Sequence, residues 1–162
     1  MNDFPLQNRQ SLPQNMPPLC IPAPPGGFLP AMGNFYVLFS QNLHSPEQSL
    51  RFDGMTSVSG LTVEQQSYIQ VKHGGTYFIT YGLTPGFGAS KGDFAGIKIG
   101  ENWITTSLQA LSHNAVGINK SFLCDLQEGQ ILHMALQCKK PISLHAGFTS
   151  ANLCLLQITA WE

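Results

Sequence analysis

Gly75-Thr76-Tyr77-Phe78-Ile79-Thr80-Tyr81-Gly82-Leu83 is the stretch on which the fold turns. Aromatic and β-branched side chains dominate it, and they favour a pleated, extended backbone over a helix. Over 77–83 apolar residues fall on both alternating faces. A strand of an antiparallel sandwich usually turns one face to the core and the other to water. A strand apolar on both faces belongs to a sheet that is covered twice. Two further segments, 35–39 and 153–158, have the same character.

Working outward, Tyr68–Val71 precedes this strand across a His-Gly-Gly turn. Phe94–Ile99 follows, then a Gly-Glu-Asn turn and 103–105. In 122–126, Phe122, Cys124 and Leu126 share one face, with Leu123 and Asp125 on the other. The turn Leu126-Gln127-Glu128-Gly129-Gln130 leads into 131–138, where Leu132, Met134, Leu136 and Cys138 share a face. Ile142–Leu144 and 153–161 close the chain. No segment keeps a helical period, and 108–111 supplies a single turn at most. Short strands punctuated by Gly, Pro, Asn and Ser predict an all-β sandwich or barrel.

The length of 162 residues suits one domain with one sizeable core. Charged residues make up 10% of the chain, where about 25% is usual. Gln, Asn, Ser and Thr take their place, so much of the surface is expected to be hidden in an oligomer. A net charge of −1 argues against the basic patch that nucleic acid requires. No stretch approaches the roughly 20 apolar residues of a membrane span. The N-terminus MNDFPLQNRQ lacks the basic head and apolar run of a secretory signal, so export by that route is not expected.

The chain changes character near Gly33. Eight of its 11 prolines lie in residues 1–30. Proline fixes φ and removes a donor, which bars this segment from helix interiors and central strands. Residues 1–33 therefore read as an extended, partly polyproline II arm, and 34–162 as the folded domain. Such composition often marks a disordered linker. Phe4, Leu6, Leu12, Met16, Leu19, Ile21, Phe28 and Leu29 give it apolar anchors instead.

Cys20, Cys124, Cys138 and Cys154 form no CxxC pair. The last three lie in apolar strand segments and read as buried thiols; Cys20, in the arm, is placed to bridge to a neighbouring chain. His44, His73, His113, His133 and His145 show no metal-ligand spacing. His133, opposite in phase to Leu132 and Met134, is expected to face solvent or an oligomer axis. Scattered carboxylates offer no calcium loop. Ser112-His113 and the lone cysteines lack an oriented base and an oxyanion element. No enzyme activity, metal or cofactor is expected.

Three pieces resemble the TNF-like and C1q-like jelly-roll superfamily. They are the Gly-x-Tyr-aromatic strand at Gly75, the strand–Leu-x-x-Gly–strand unit over 122–138, and the short apolar C-terminal strand. The family usually places Asp after the glycine of that unit; Gln130 stands here. The resemblance implies a ten-stranded antiparallel jelly roll and a compact homotrimer. The trimer contact is expected on Phe35, Val37, Phe39, Tyr77, Tyr81, Leu153 and Leu155. No Gly-X-Y repeat is present, so a collagen stem is excluded. In character the head is most similar to the C-terminal heads of bacterial spore-surface (exosporium) proteins, which implies a cell or spore surface.

The expected function is that of a structural subunit. Trimers would link head to tail as arms dock into neighbouring trimers, with Phe4, Leu6, Leu19 and Ile21 making contact and a Cys20 disulfide locking the joint. A contact of this kind does not close, so a fibre follows. The partners are further copies of the chain and a spore-surface anchor or tip protein. The alternative is a trimeric receptor- or glycan-binding head at the tip of a spore filament or phage fibre, its specificity in loops 85–92 or 111–120.

Overall fold

A computed structural model describes residues 29–44, 46–112, 116–145 and 150–161. The described residues form β1 (Met32–Tyr36), β2 (Gln41–Leu43), β3 (Glu47–Ser49), β4 (Gly54–Ser59), β5 (Leu61–Glu64), β6 (Tyr68–Val71) and β7 (Gly75–Leu83). There follow β8 (Phe94–Ile99), β9 (Asn102–Trp103), β10 (Gln109–Ala110), β11 (Ile118–Leu126), β12 (Ile131–Gln137), β13 (Ile142–Leu144) and β14 (Ala151–Ala160). A single 3₁₀ turn at Thr105–Ser107 replaces the turn expected over 108–111. Fourteen segments stand where ten strands were expected. Five of them, β2, β3, β9, β10 and β13, have only two or three residues: β3, β9 and β10 add to the second sheet, and β2 and β13 pair with each other in a separate two-stranded ladder.

Two sheets face each other. The first has the order β11-β7-β14-β1-β4; the second has β10-β8-β12-β6-β5, with β3 added to β12 and β9 to β8. From β6 onward the chain repeatedly crosses between them, which places first and last strands side by side. The core lies between the sheets, and its largest side chains are Tyr77, Tyr81, Phe35 and Phe52. Leu132, Met134, Leu136 and Cys138 fill it from the second sheet, on the face their alternation predicts.

Polar groups inside this core are paired. The Tyr81 hydroxyl donates to the Ser107 carbonyl at 2.5 Å, and the buried Ser107 hydroxyl accepts from Ile97 N–H at 2.8 Å. One long side chain thus crosses the sandwich to hold the 3₁₀ turn. Tyr77 donates to the His73 carbonyl at 2.7 Å. Burial pushes both phenols up to about 12.

Two features of the family-like motifs have physical causes here. A Cβ on Gly75 would collide with the Thr159 carbonyl, because β14 shifts register between Gln157 and Thr159 and closes on β7. In the β11–β12 turn, Gly129 takes φ 82° and the Gln130 side chain accepts Gln127 N–H at 2.9 Å. The longer Gln130 side chain closes the turn where the family's shorter acid usually stands.

The fold begins earlier than the expected boundary after Gly33. Met32 and Gly33 are already in β1, and Ala31 is fully buried. At the β14 register shift, Gln157 N–H donates to the Ala31 carbonyl at 2.8 Å. The Gln157 side chain then adds a further rung, accepting Ala31 N–H at 3.0 Å and donating to the Gly74 carbonyl at 3.0 Å.

Candidate functional site

Of the segments apolar on both faces, 77–83 and 153–158 lie in β7 and β14, while 35–39 starts in β1 at Phe35 and Tyr36 and runs past its end; β7, β14 and β1 are adjacent strands of the first sheet. Their inward residues are core. Phe35, Val37, Tyr77, Tyr81, Leu153 and Leu155 are all enclosed between this chain's own sheets. This corrects their expected place in a trimer contact: in a period-2 element a shift of one residue exchanges the two faces. Phe39 is 69% exposed but lies beyond β1, where the Asp53 carboxylate accepts its N–H at 3.1 Å.

The outward residues form a different surface. Leu123, Phe78 and Leu156 lie opposite one another across β11, β7 and β14, and Met32 of β1 continues the row. With Ile158 beside them, these large side chains are 39–59% exposed, Met32 less so. The next row reads Ser121, Thr80, Cys154 and Asn34, with the Thr80 and Ser121 hydroxyls 2.9 Å apart. Strands β1, β7 and β14 contain no charged residue. Asp125, at the edge, accepts from the Thr76 hydroxyl at 2.7 Å.

The cysteines divide accordingly. Cys138 is buried as expected, Cys124 sits half-buried against the core, and Cys154 is exposed on this outer face. Cys154 therefore departs from the buried-thiol expectation by the same one-residue phase. Its thiol is pushed up, as burial pushes up those of Cys124 and Cys138, which disfavours the reactive thiolate.

On the opposite side of the sandwich, the outer face of the second sheet carries His133 directly opposite Lys98 across β12 and β8. His133 faces neither solvent nor the first sheet's outer face; it is 6% exposed, with its ring edge-on to Tyr68 at 5.0 Å. Burial, and then the Lys98 charge, push its pKa down. Lys98, 4% exposed, donates to the Glu47 carboxylate at 2.6 Å and lies 3.6 Å from Glu101 and 5.3 Å from the Trp103 ring. Sequence reading passed over this cluster, because its members are single residues on five strands, β3, β6, β8, β9 and β12, and on the turn between β8 and β9.

Loop 85–92 presents Phe87, two-thirds exposed, against His145 at 5.4 Å. Loop 111–120 is described only in part. The arm-docking residues Phe4, Leu6, Leu19 and Ile21, and Cys20, lie outside the described residues. Among the described residues no group of three or more His, Cys, Asp or Glu is placed to hold a metal ion. None of their helices is long and apolar enough to cross a membrane.

No protein-family model and no curated protein matches the chain. Solved structures do. Pika GITRL aligns over 82% of this chain and 98% of its own at 13% identity, with a TM-score of 0.53. Murine APRIL aligns over 80% and 100% at 8% identity, with a TM-score of 0.58. Rabbit GITRL aligns over 81% and 96% at 11% identity, with a TM-score of 0.54. At such identities the likeness defines the fold alone: a TNF-like jelly roll.

Proposed function

We propose that this chain is a structural, non-enzymatic assembly subunit. Its jelly-roll heads associate as a homotrimer through the outer face of the first sheet. The proline-rich segment 1–33 links trimers head to tail into a fibre on a cell or spore surface. The observation that carries this reading is the uncharged outer face of β7, β14 and β1, with its exposed row Leu123, Phe78 and Leu156. Interface centres are depleted of charge and rich in large apolar side chains, and a contiguous exposed patch of this kind marks an association surface. The TNF-like fold agrees with self-association.

Phe4, Leu6, Leu19 and Ile21 supply the docking contacts in this reading, and Cys20 a disulfide once the fibre leaves a reducing compartment. An anchor or tip protein on the spore surface would terminate the array. The test is size-exclusion chromatography with light scattering, plus negative-stain microscopy, on the full chain and on a chain beginning at Leu29. The shorter chain keeps the Ala31–Gln157 rung. Fibres from the first and discrete trimers from the second are expected. Fibres from both would refute arm linkage, and monomers from the shorter chain would refute the trimer.

A second reading, a trimeric head that binds a receptor or glycan, is favoured by the exposed Phe87 on loop 85–92. Discrete trimers from both chains would support it.

A further inference from the structure

The cavity on the outer face of the second sheet includes neither the association row nor loop 85–92. It holds about 280 Å³ and is lined by Glu47, Ser49, Tyr68, Lys98, Glu101 and His133, among others. Ligand sites for drug-sized molecules run from roughly 300 Å³ upward, so this one suits a single ring-sized group.

Its chemistry narrows the ligand by elimination. An anion would meet two carboxylates, Glu47 and Glu101, against one ammonium already bonded to Glu47 at 2.6 Å. A cation finds its place taken, because the Lys98 ammonium lies between those carboxylates, backed by the Trp103 ring. An apolar ligand would desolvate the Glu47 and Glu101 carboxylates without satisfying their open lone pairs, which is costly. What remains is a neutral ligand rich in groups that both donate and accept.

The unused hydrogen-bonding capacity points the same way. A carboxylate offers about four lone-pair sites, and a single ammonium proton donor uses few of them. Glu101 is 97% exposed and 3.6 Å from Lys98, so its oxygens remain open to hydroxyl donors. Ser49 adds a hydroxyl that donates or accepts. His133 Nδ1 is buried with no hydrogen-bond partner. The Tyr68 ring supplies an apolar wall for a C–H face.

We propose that this cavity is a binding site for a neutral saccharide unit, held by Glu101, Glu47 and Ser49 against Tyr68. The site lies on the sheet opposite the proposed trimer face.

The experiment is saturation-transfer difference NMR on the full chain, a method that large assemblies do not defeat. The probes are neutral hexoses, N-acetylhexosamines and 6-deoxyhexoses, with glucuronate and glucosamine as anionic and cationic controls. Saturable transfer from neutral sugars with a millimolar Kd is expected, as one ring-sized ligand would give. Glu101→Gln, at a fully solvated position, should weaken binding about tenfold through loss of a charged acceptor. Tyr68→Ala should abolish transfer to the sugar C–H protons. Silence from every neutral sugar up to about 50 mM, some tenfold above such a Kd, would overturn the proposal. So would tighter binding of glucuronate or glucosamine, or transfer unchanged in both variants.

Discussion

Replacing Gln157 with methionine should destabilise the head far more than its position near the end of the last strand suggests. The substitution keeps length and flexibility but removes two hydrogen bonds. Ala31 N–H, in a fully buried residue, is left with no acceptor. An orphaned buried donor costs about 1–3 kcal/mol. The Gly74 carbonyl fares better, since Trp161 N–H still donates to it at 3.1 Å, so losing the Gln157 amide there costs about 1 kcal/mol. The sum is about 2–4 kcal/mol, against a total stability of about 5–15 kcal/mol for a domain. With a urea m-value of about 2 kcal/mol/M, the midpoint should fall by about 1–2 M. Unfolding of the chain beginning at Leu29, at fixed protein concentration, measures it. Gln157→Glu adds an internal control. At neutral pH it buries a carboxylate and loses the donor to Gly74; protonated, it regains one donor and one acceptor. Burial raises the folded-state pKa of such a group above its unfolded value of about 4.3. Its deficit should therefore shrink as pH falls toward the unfolded value. A Gln157→Met loss below about 0.5 kcal/mol, half of one net hydrogen bond, would refute the reasoning.

Leu156→Asp places a charge at the centre of the exposed row and should cost association about 2 kcal/mol or more, with monomers appearing by light scattering. Its thermal midpoint, measured under monomeric conditions, should stay close to that of the parent. The folded-state pKa of His133 is lowered from 6.5 by burial and by Lys98, a shift that Glu101 and Glu47 oppose and that Tyr68 accompanies by covering the ring. The unfolded chain then binds the proton first, so stability should fall as pH drops below 6.5, and His133→Leu should flatten that acid limb in a pH series of urea midpoints. Tyr77 and Tyr81 rise from 10.0 to about 12. Their contribution is intact below pH 10 and should be lost as pH climbs toward 12, with Tyr81→Phe showing a shallower alkaline decline in the same series.

Strands with strong alternation were legible to the residue: Tyr68–Val71 and Phe94–Ile99 fall where their apolar and aromatic content puts them. The segment from Gln41 to Glu64 was not. Its strands β2 to β5 are rich in Gln, Ser and Thr, and β4 is exposed at all but its first residue, so no face announces a core. The doubly apolar character of β1, β7 and β14 identified the sheet correctly. Parity alone does not say which of two apolar faces is inside. Tyr77 and Tyr81 settle that through hydroxyl bonds to His73, Ala95 and Ser107, carbonyls that no periodicity places within reach. The Lys98–His133 cluster was invisible because cross-strand register, rather than spacing along the chain, assembles it.

The anchoring of Ala31 has a mechanical meaning. The arm runs directly into β1, which lies between β14 and β4 with ladder bonds on both sides. Ladder bonds of antiparallel strands stand perpendicular to the strand axis. A pull transmitted along the arm therefore loads them in shear, together, instead of opening them one by one. The Gln157 rung sits at the point where that force enters the head. Tension would reach the sandwich through an interior strand, and the first bond to feel it is made by a side chain.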